Sequence, residues 1–205
     1  MQGFIININK ARDEDLIVTV LCEERLQTLY RFYGSRHSTI NIGYLIDFEV
    51  QQNLKTTISQ LKNVLHLAQS WNFVSEKFYI WQEFIKLFYP HLKDVEHIDK
   101  FYFELLKKAS EKWQKQNAKR VAVESYLEIL THEGRLHNTT NCFLCDRKIE
   151  DRVALARAYL PAHIDCIYDS GYKMESIEKF FKTKNSFHLD NADIERLYRT
   201  LCEGV

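Results

Sequence analysis

Two prolines and six glycines in 205 residues leave few places for a long irregular linker. No stretch approaches about eighteen uncharged apolar residues, so no membrane span is expected. Net charge is missing as well. The chain carries 28 basic and 28 acidic side chains, so any basic surface is a local patch. There is no Gly-x4-Gly-Lys-Ser/Thr loop, no pair of dinucleotide-binding glycines and no Gly-x-Ser-x-Gly elbow. Nothing therefore marks an ATPase or a hydrolase, and no enzymatic activity is expected. The opening stretch, MQGFIININKARDEDL, has early acids and no long apolar core, so no secretory signal is expected. The five cysteines are an odd number, and three of them crowd into residues 142–166. A secreted disulfide scaffold would show an even, dispersed set. The simplest location is the cytosol, where thiols stay reduced and free to bind metal.

The crowded cysteines form a pattern. Cys142-Phe-Leu-Cys145 is followed by His163-Ile-Asp-Cys166. A C-x2-C turn aims two donors at one point, and an H-x2-C turn can close a tetrahedron around it. Thiolates and a neutral imidazole suit Zn2+. Four protein ligands leave no open position, so the expected role is a structural clamp. A redox role for Cys142 and Cys145 would leave the second pair unexplained. A catalytic metal would need a free position and a nearby acid or base. His132 and His137 compete with His163 for the fourth place, and spacing favours His163. Cys22 and Cys202 read as packed small residues.

The first fifty residues alternate β-branched and aromatic side chains in four runs, Gly3 to Ile8, Leu16 to Cys22, Gln27 to Tyr33 and Tyr44 to Val50. Short strands with close turns predict a small barrel or sandwich. Residues 55–66 are ambiguous: Thr56, Thr57 and Ile58 favour a closing strand, while Leu61, Val64 and Leu65 fit a helix equally well. Beyond Ser70 the period changes to that of helices. Helices are expected over Val74–Leu92, Val95–Lys115 and Asn117–His132, with Gly134 as a stop, and shorter ones over Ser176–Lys182 and Ala192–Leu201. The fold class is α+β, with a β domain over 1–75, a helical domain over 76–205, and a metal-binding segment at 137–170.

Two basic stretches stand out. Residues 101–120 hold six basic side chains against two acidic ones. Lys108, Lys112, Lys115 and Lys119 share a face if one helix runs through Asn117. In the β half, Arg25, Arg31, Arg36 and His37 interleave with Tyr30, Phe32, Tyr33 and Tyr44, with no acid from residue 25 to 46. Lys55 and Lys62 lie in a second acid-free run. Cations with exposed rings suit single-stranded nucleic acid, where charges follow phosphates and rings stack on bases. A solvated lysine face and core aromatics are the plainer alternative.

Taken in order, these pieces resemble the bacterial RecO family of recombination mediators. The resemblance rests on the opening β segment, on YGSRHS at Tyr33–Ser38, on the helix running into HEGRLHNTTNCFLC, and on AHIDC. It implies an oligonucleotide-binding (OB) barrel, a helical domain and a zinc-ribbon-like insertion. It implies a cytoplasmic, nucleoid-associated bacterial protein that binds single- and double-stranded DNA and anneals strands without ATP. It further implies RecR as partner, help in loading RecA, and docking of the single-strand binding protein's C-terminal tail on the helical domain. Phe78, Trp81, Phe84 and Trp113 are candidate walls for that tail. The resemblance assigns DNA contact to Arg31, Arg36 and His37 and metal to Cys142, Cys145 and Cys166, with His163 standing where a cysteine is usual. A zinc-stabilised protein-interaction adaptor is the competing reading.

Overall fold

The computed structural model describes residues 1–52 and 57–204. It divides into two compact units, Met1–Lys115 and Gln116–Val205.

The first unit is built on five strands: β1 (Gln2–Lys10), β2 (Leu16–Leu21), β3 (Leu26–Arg31), β4 (Leu45–Gln51) and β5 (Gln60–His66). They close into a barrel in the order β1-β2-β3-β5-β4, the topology of an OB fold. The four expected strands are present within a residue or two. Ile5, Val18, Val20, Leu29, Ile46, Phe48 and Leu61 fill the interior. The ambiguous segment resolves as a strand over Gln60–His66, while Lys55 lies outside the described residues. The ladder between β4 and β5 slips between Asp47 and Glu49, and Asn63 takes a left-handed φ of 47°. One extra residue therefore opposes β4 at a bulge. Inward-facing Leu61 and Val64 are then three apart rather than two, which is the helical interval that made the segment ambiguous.

Three helices follow in the same unit: α1 (Ser75–Lys86), α2 (Phe88–Leu92) and α3 (Lys100–Lys115). The expected single helix over Val74–Leu92 is broken at Leu87. Pro90 has no N–H to offer the Lys86 carbonyl and its ring crowds that oxygen, so the first helix cannot run through. The Asp99 carboxylate accepts from the Phe101 N–H at 2.8 Å at the start of α3, later than the expected Val95.

These helices belong with the barrel because the barrel's outer face is apolar. Phe4 on β1 is buried, with its ring 5.9 Å from Trp81 and 5.7 Å from Phe103. Trp71, Trp81 and Trp113 gather in one cluster with Phe84. Every indole N–H finds a backbone carbonyl: Trp71 donates to Ser110 at 3.0 Å, Trp81 to Gly43 at 2.7 Å and Trp113 to Lys77 at 3.1 Å. The compact division therefore falls after Lys115 rather than at residue 75. Trp81, Phe84 and Trp113 are completely buried, so they cannot wall an open pocket for a tail peptide.

The second unit begins with α4 (Ala118–His132), capped by Asn117, whose side chain accepts from the Arg120 N–H at 3.2 Å. Gly134, with φ of 66°, ends it as expected. Three short strands follow, which the sequence pattern did not announce: β6 (Arg152–Ala156), β7 (Leu160–Ala162) and β8 (Tyr172–Lys173), in the order β7-β6-β8. α5 (Ile164–Ile167) lies between β7 and β8, and α6 (Met174–Thr183) and α7 (Asn191–Cys202) close the unit. Its core centres on Tyr159, whose hydroxyl donates to the Leu197 carbonyl at 3.2 Å and whose ring meets Tyr126 edge-on at 4.9 Å. Among the described residues no helix is long and apolar enough to cross a membrane.

Trp81→Phe keeps the ring but leaves the buried Gly43 carbonyl without its donor. It should cost about 1–3 kcal/mol of stability, measured by urea unfolding followed through the emission of the two remaining tryptophans. An unchanged midpoint would show that the Gly43 contact contributes nothing.

Candidate metal centre and nucleic-acid interface

The two halves of the metal group come from two tight turns in the second unit. In the first, the Cys142 N–H donates to the Arg147 carbonyl at 3.0 Å and the Asp146 N–H to the Cys142 carbonyl at 2.8 Å. Asp146 reverses the chain with φ of 58°, a conformation that Asp tolerates better than most residues. The Phe143 N–H is tied to the Pro161 carbonyl at 2.9 Å, which anchors the turn to β7. In the second turn, His163 caps α5 and Cys166 lies one turn further on.

The donor atoms of Cys142, Cys145, His163 and Cys166 all lie within 4.8 Å of one another. Cys145 Sγ is 3.3 Å from His163 Nδ1, and Cys166 Sγ is 3.9 Å from Nδ1 and 4.0 Å from Cys145 Sγ. A tetrahedral ion with sulfur bonds of about 2.3 Å has edges of ~3.8 Å between sulfurs and ~3.5 Å between sulfur and nitrogen. These three edges lie close to those values, and the group could hold a metal ion. His163 Nε2 sits 3.0 Å from the Lys148 carbonyl, which can only accept, so that nitrogen carries the proton and Nδ1 turns its lone pair to the sulfurs. His163 is thus oriented as a ligand. His132 and His137 are not in the group.

The thiols are not equivalent. Burial pushes Cys142 up, but the N–H groups of His163, Cys145 and Leu144 outweigh it and bring the thiol down to about 6. The Arg147 N–H and side chain lower Cys145. Desolvation and the neighbouring sulfurs push Cys166 up to about 11. The Lys148 carbonyl raises His163.

The expected DNA contacts separate into engaged and open cations. Arg31 is half-buried; its Nη1 donates to the Leu61 carbonyl at 2.9 Å, and its Nε is buried. The β3–β5 ladder has a single register pair, Tyr30 with Gln60, so Arg31 fastens the seam that closes the barrel. Arg36 pairs with Glu14 and lies over the Tyr33 ring at 5.4 Å. Arg25 and His37 are exposed on turns. Lys62 stands opposite Glu49 on β4.

The lysine face needs a correction. Helix α3 stops at Lys115, and Asn117 is extended. Lys108, Lys112 and Lys115 remain exposed on one helix face, whereas Lys119 begins α4 and pairs with Glu195 at 2.5 Å. Arg120 is also spent internally, donating to the Ser186 and Leu189 carbonyls.

Residues 1–72 match a family model described as RecO N terminal. That stretch is similar to the N-terminal domain of RecO proteins. The expected RecO resemblance is therefore met over the barrel and the segment leading to α1, and it supports a RecO-family protein. No curated protein matches the chain.

At neutral pH the raised Cys166 thiol must lose its proton to ligate, and His163 must lose any proton on Nδ1. Zinc uptake by demetallated protein should therefore release about 1–2 protons, read by calorimetry in buffers of different ionisation heat. A heat independent of buffer would exclude thiol ligation. A second check uses the placement of all three tryptophans in the first unit. Cys142→Ser should lower the melting transition seen in far-ultraviolet circular dichroism while leaving tryptophan emission unshifted. A red-shifted emission in the folded variant would overturn a clamp local to the second unit.

Proposed function

We propose that this chain is a RecO-type recombination mediator of DNA repair that works without catalysis. The observation that carries the reading is the RecO N-terminal match on a closed five-stranded barrel. In this reading the protein binds single- and double-stranded DNA and anneals complementary strands. With RecR, it promotes RecA loading onto strands coated by single-strand binding protein, whose tail docks elsewhere than on the buried tryptophans. It acts in the bacterial cytoplasm at the nucleoid. Zn2+ is the ion proposed for the Cys3His group, because it favours four sulfur and nitrogen donors in a tetrahedron, and its role is to hold the two turns together.

Annealing needs no reactive group. Two phosphate chains repel each other, and cations that displace condensed counterions supply the favourable free energy for bringing them together. The exposed cation Arg25 on the barrel, the exposed His37 and the exposed face of α3 support this role. Arg31 and Lys119 contribute less, because their charges already have partners in the fold.

The adaptor reading draws on the metal-bearing turns, where Phe143, Leu144 and Tyr168 are exposed. Fluorescence anisotropy with a labelled oligonucleotide at moderate salt separates the two, since an adaptor would not bind. Strand annealing with and without single-strand binding protein tests the mediator role itself.

Replacing Lys108, Lys112 and Lys115 together by Ala should flatten the salt dependence of single-strand binding by about 2, at roughly 0.7 per lost phosphate contact. Lys119→Ala should leave the slope nearly unchanged. The reverse ranking would remove α3 from the binding surface.

A further inference from the structure

One cavity of the first unit opens at the end of the barrel, with a volume of ≈ 440 Å³ and a lining of Ala11, Arg12, Tyr30, Phe32, Thr57, Ile58 and Gln60. It lies between the turn joining β1 to β2 and the start of β5. These are the loops that flank the ligand face of OB folds in general. Its size exceeds that of a planar heterocycle.

Its wall is built rather than incidental. Tyr30 and Phe32 are two residues apart at the end of β3, and their rings meet edge-on at 4.9 Å. The Tyr30 hydroxyl donates to Asp15 at 2.5 Å, and the other oxygen of Asp15 accepts the Tyr33 N–H at 2.7 Å. Tyr30 is thus fixed from its hydroxyl end and props Phe32, which stays 46% exposed. An aromatic ring held by its edge has a face left to stack on.

Charge identifies the occupant. Among the described residues of the lining, Arg12 is the one that is charged. The acids of the adjoining turn are mostly engaged: Glu14 with Arg36, and Asp15 with Tyr30 and Tyr33. Asp13 acts on Tyr30 with a sign opposite to that of Arg12. Gln60 and Thr57 add neutral donors and acceptors at the rim. A stacking face, a neutral polar rim and one cation fit a base attached to a phosphate, and an aliphatic or acidic peptide would leave the ring face unused.

We propose that this cavity takes one unpaired nucleobase of a single strand, with Phe32 as the stacking platform and Arg12 on the adjoining phosphate. This rests on the reading of the barrel as a single-strand binder, and it names the part of the strand that is read. Duplex DNA, whose bases are already stacked, cannot enter the cavity.

The test compares an oligothymidylate with an abasic phosphodiester chain of equal length, by competition at fixed salt. The full chain should prefer the oligothymidylate by about five-fold or more, since stacking on one aromatic is worth at least that factor. Phe32→Ala should erase the preference, and Phe32→Trp should retain it. Arg12→Ala should weaken both ligands alike. Native tryptophan emission certifies that each variant's barrel is folded. Equal binding of the two ligands by the full chain, or a preference that survives Phe32→Ala, overturns the pocket while leaving the electrostatic reading intact. Binding of neither ligand overturns both.

Discussion

Much of the first unit depends on one hydrogen bond, from the Trp81 indole to the Gly43 carbonyl. Gly43 takes φ of +91°, and a Cβ there would sit 2.7 Å from the Trp81 ring. The bond holds the residue two before β4, whose own N–H reaches the Ile5 carbonyl on β1 at 2.8 Å. Trp81 therefore touches the chain where the barrel's first and fourth strands meet. Around it, Trp71, Trp113 and Phe84 fill the space over the outer face of β1. Barrel and helices share one apolar cluster, and burial of those rings supplies a driving force that a small barrel alone would lack.

The barrel was legible because its strands obey a period of two and are broken by polar turns. Legibility failed where that period failed. The bulge at Asn63 shifted Val64 by one position, and a strand imitated a helix. The helical period runs unbroken from Val74 to Leu92, but the missing N–H of Pro90 ends the first helix a turn earlier, at Leu87. The short strands around the metal group carry too few residues for periodicity to register; they are placed by turns, and the turns are placed by the cysteines. The metal ligands themselves were readable in full, because x2 spacing is a local geometric demand. The basic residues were not. Whether Arg31 or Lys119 faces solvent depends on a carbonyl or carboxylate brought from far along the chain, and no local pattern records that.

A neutral chain must distribute its charges carefully to meet a polyanion. Arg31 closes the barrel seam, Arg36 answers Glu14, Lys119 answers Glu195, and Arg120 ties the loop before α7 to α4. These cations belong to folding. Of the cations expected to meet DNA, Lys108, Lys112, Lys115 and Arg25 are exposed. A sparse positive surface makes few phosphate contacts, so in the proposed role the salt dependence would be shallow and each cation would carry a large share of it.

His163 has a consequence for charge as well as for shape. Three thiolates and a neutral imidazole around a divalent ion leave one net negative charge, where four thiolates would leave two. Arg147, which faces Cys145, can balance one such charge by itself. With a histidine in the third place the centre and its neighbouring arginine sum to neutrality.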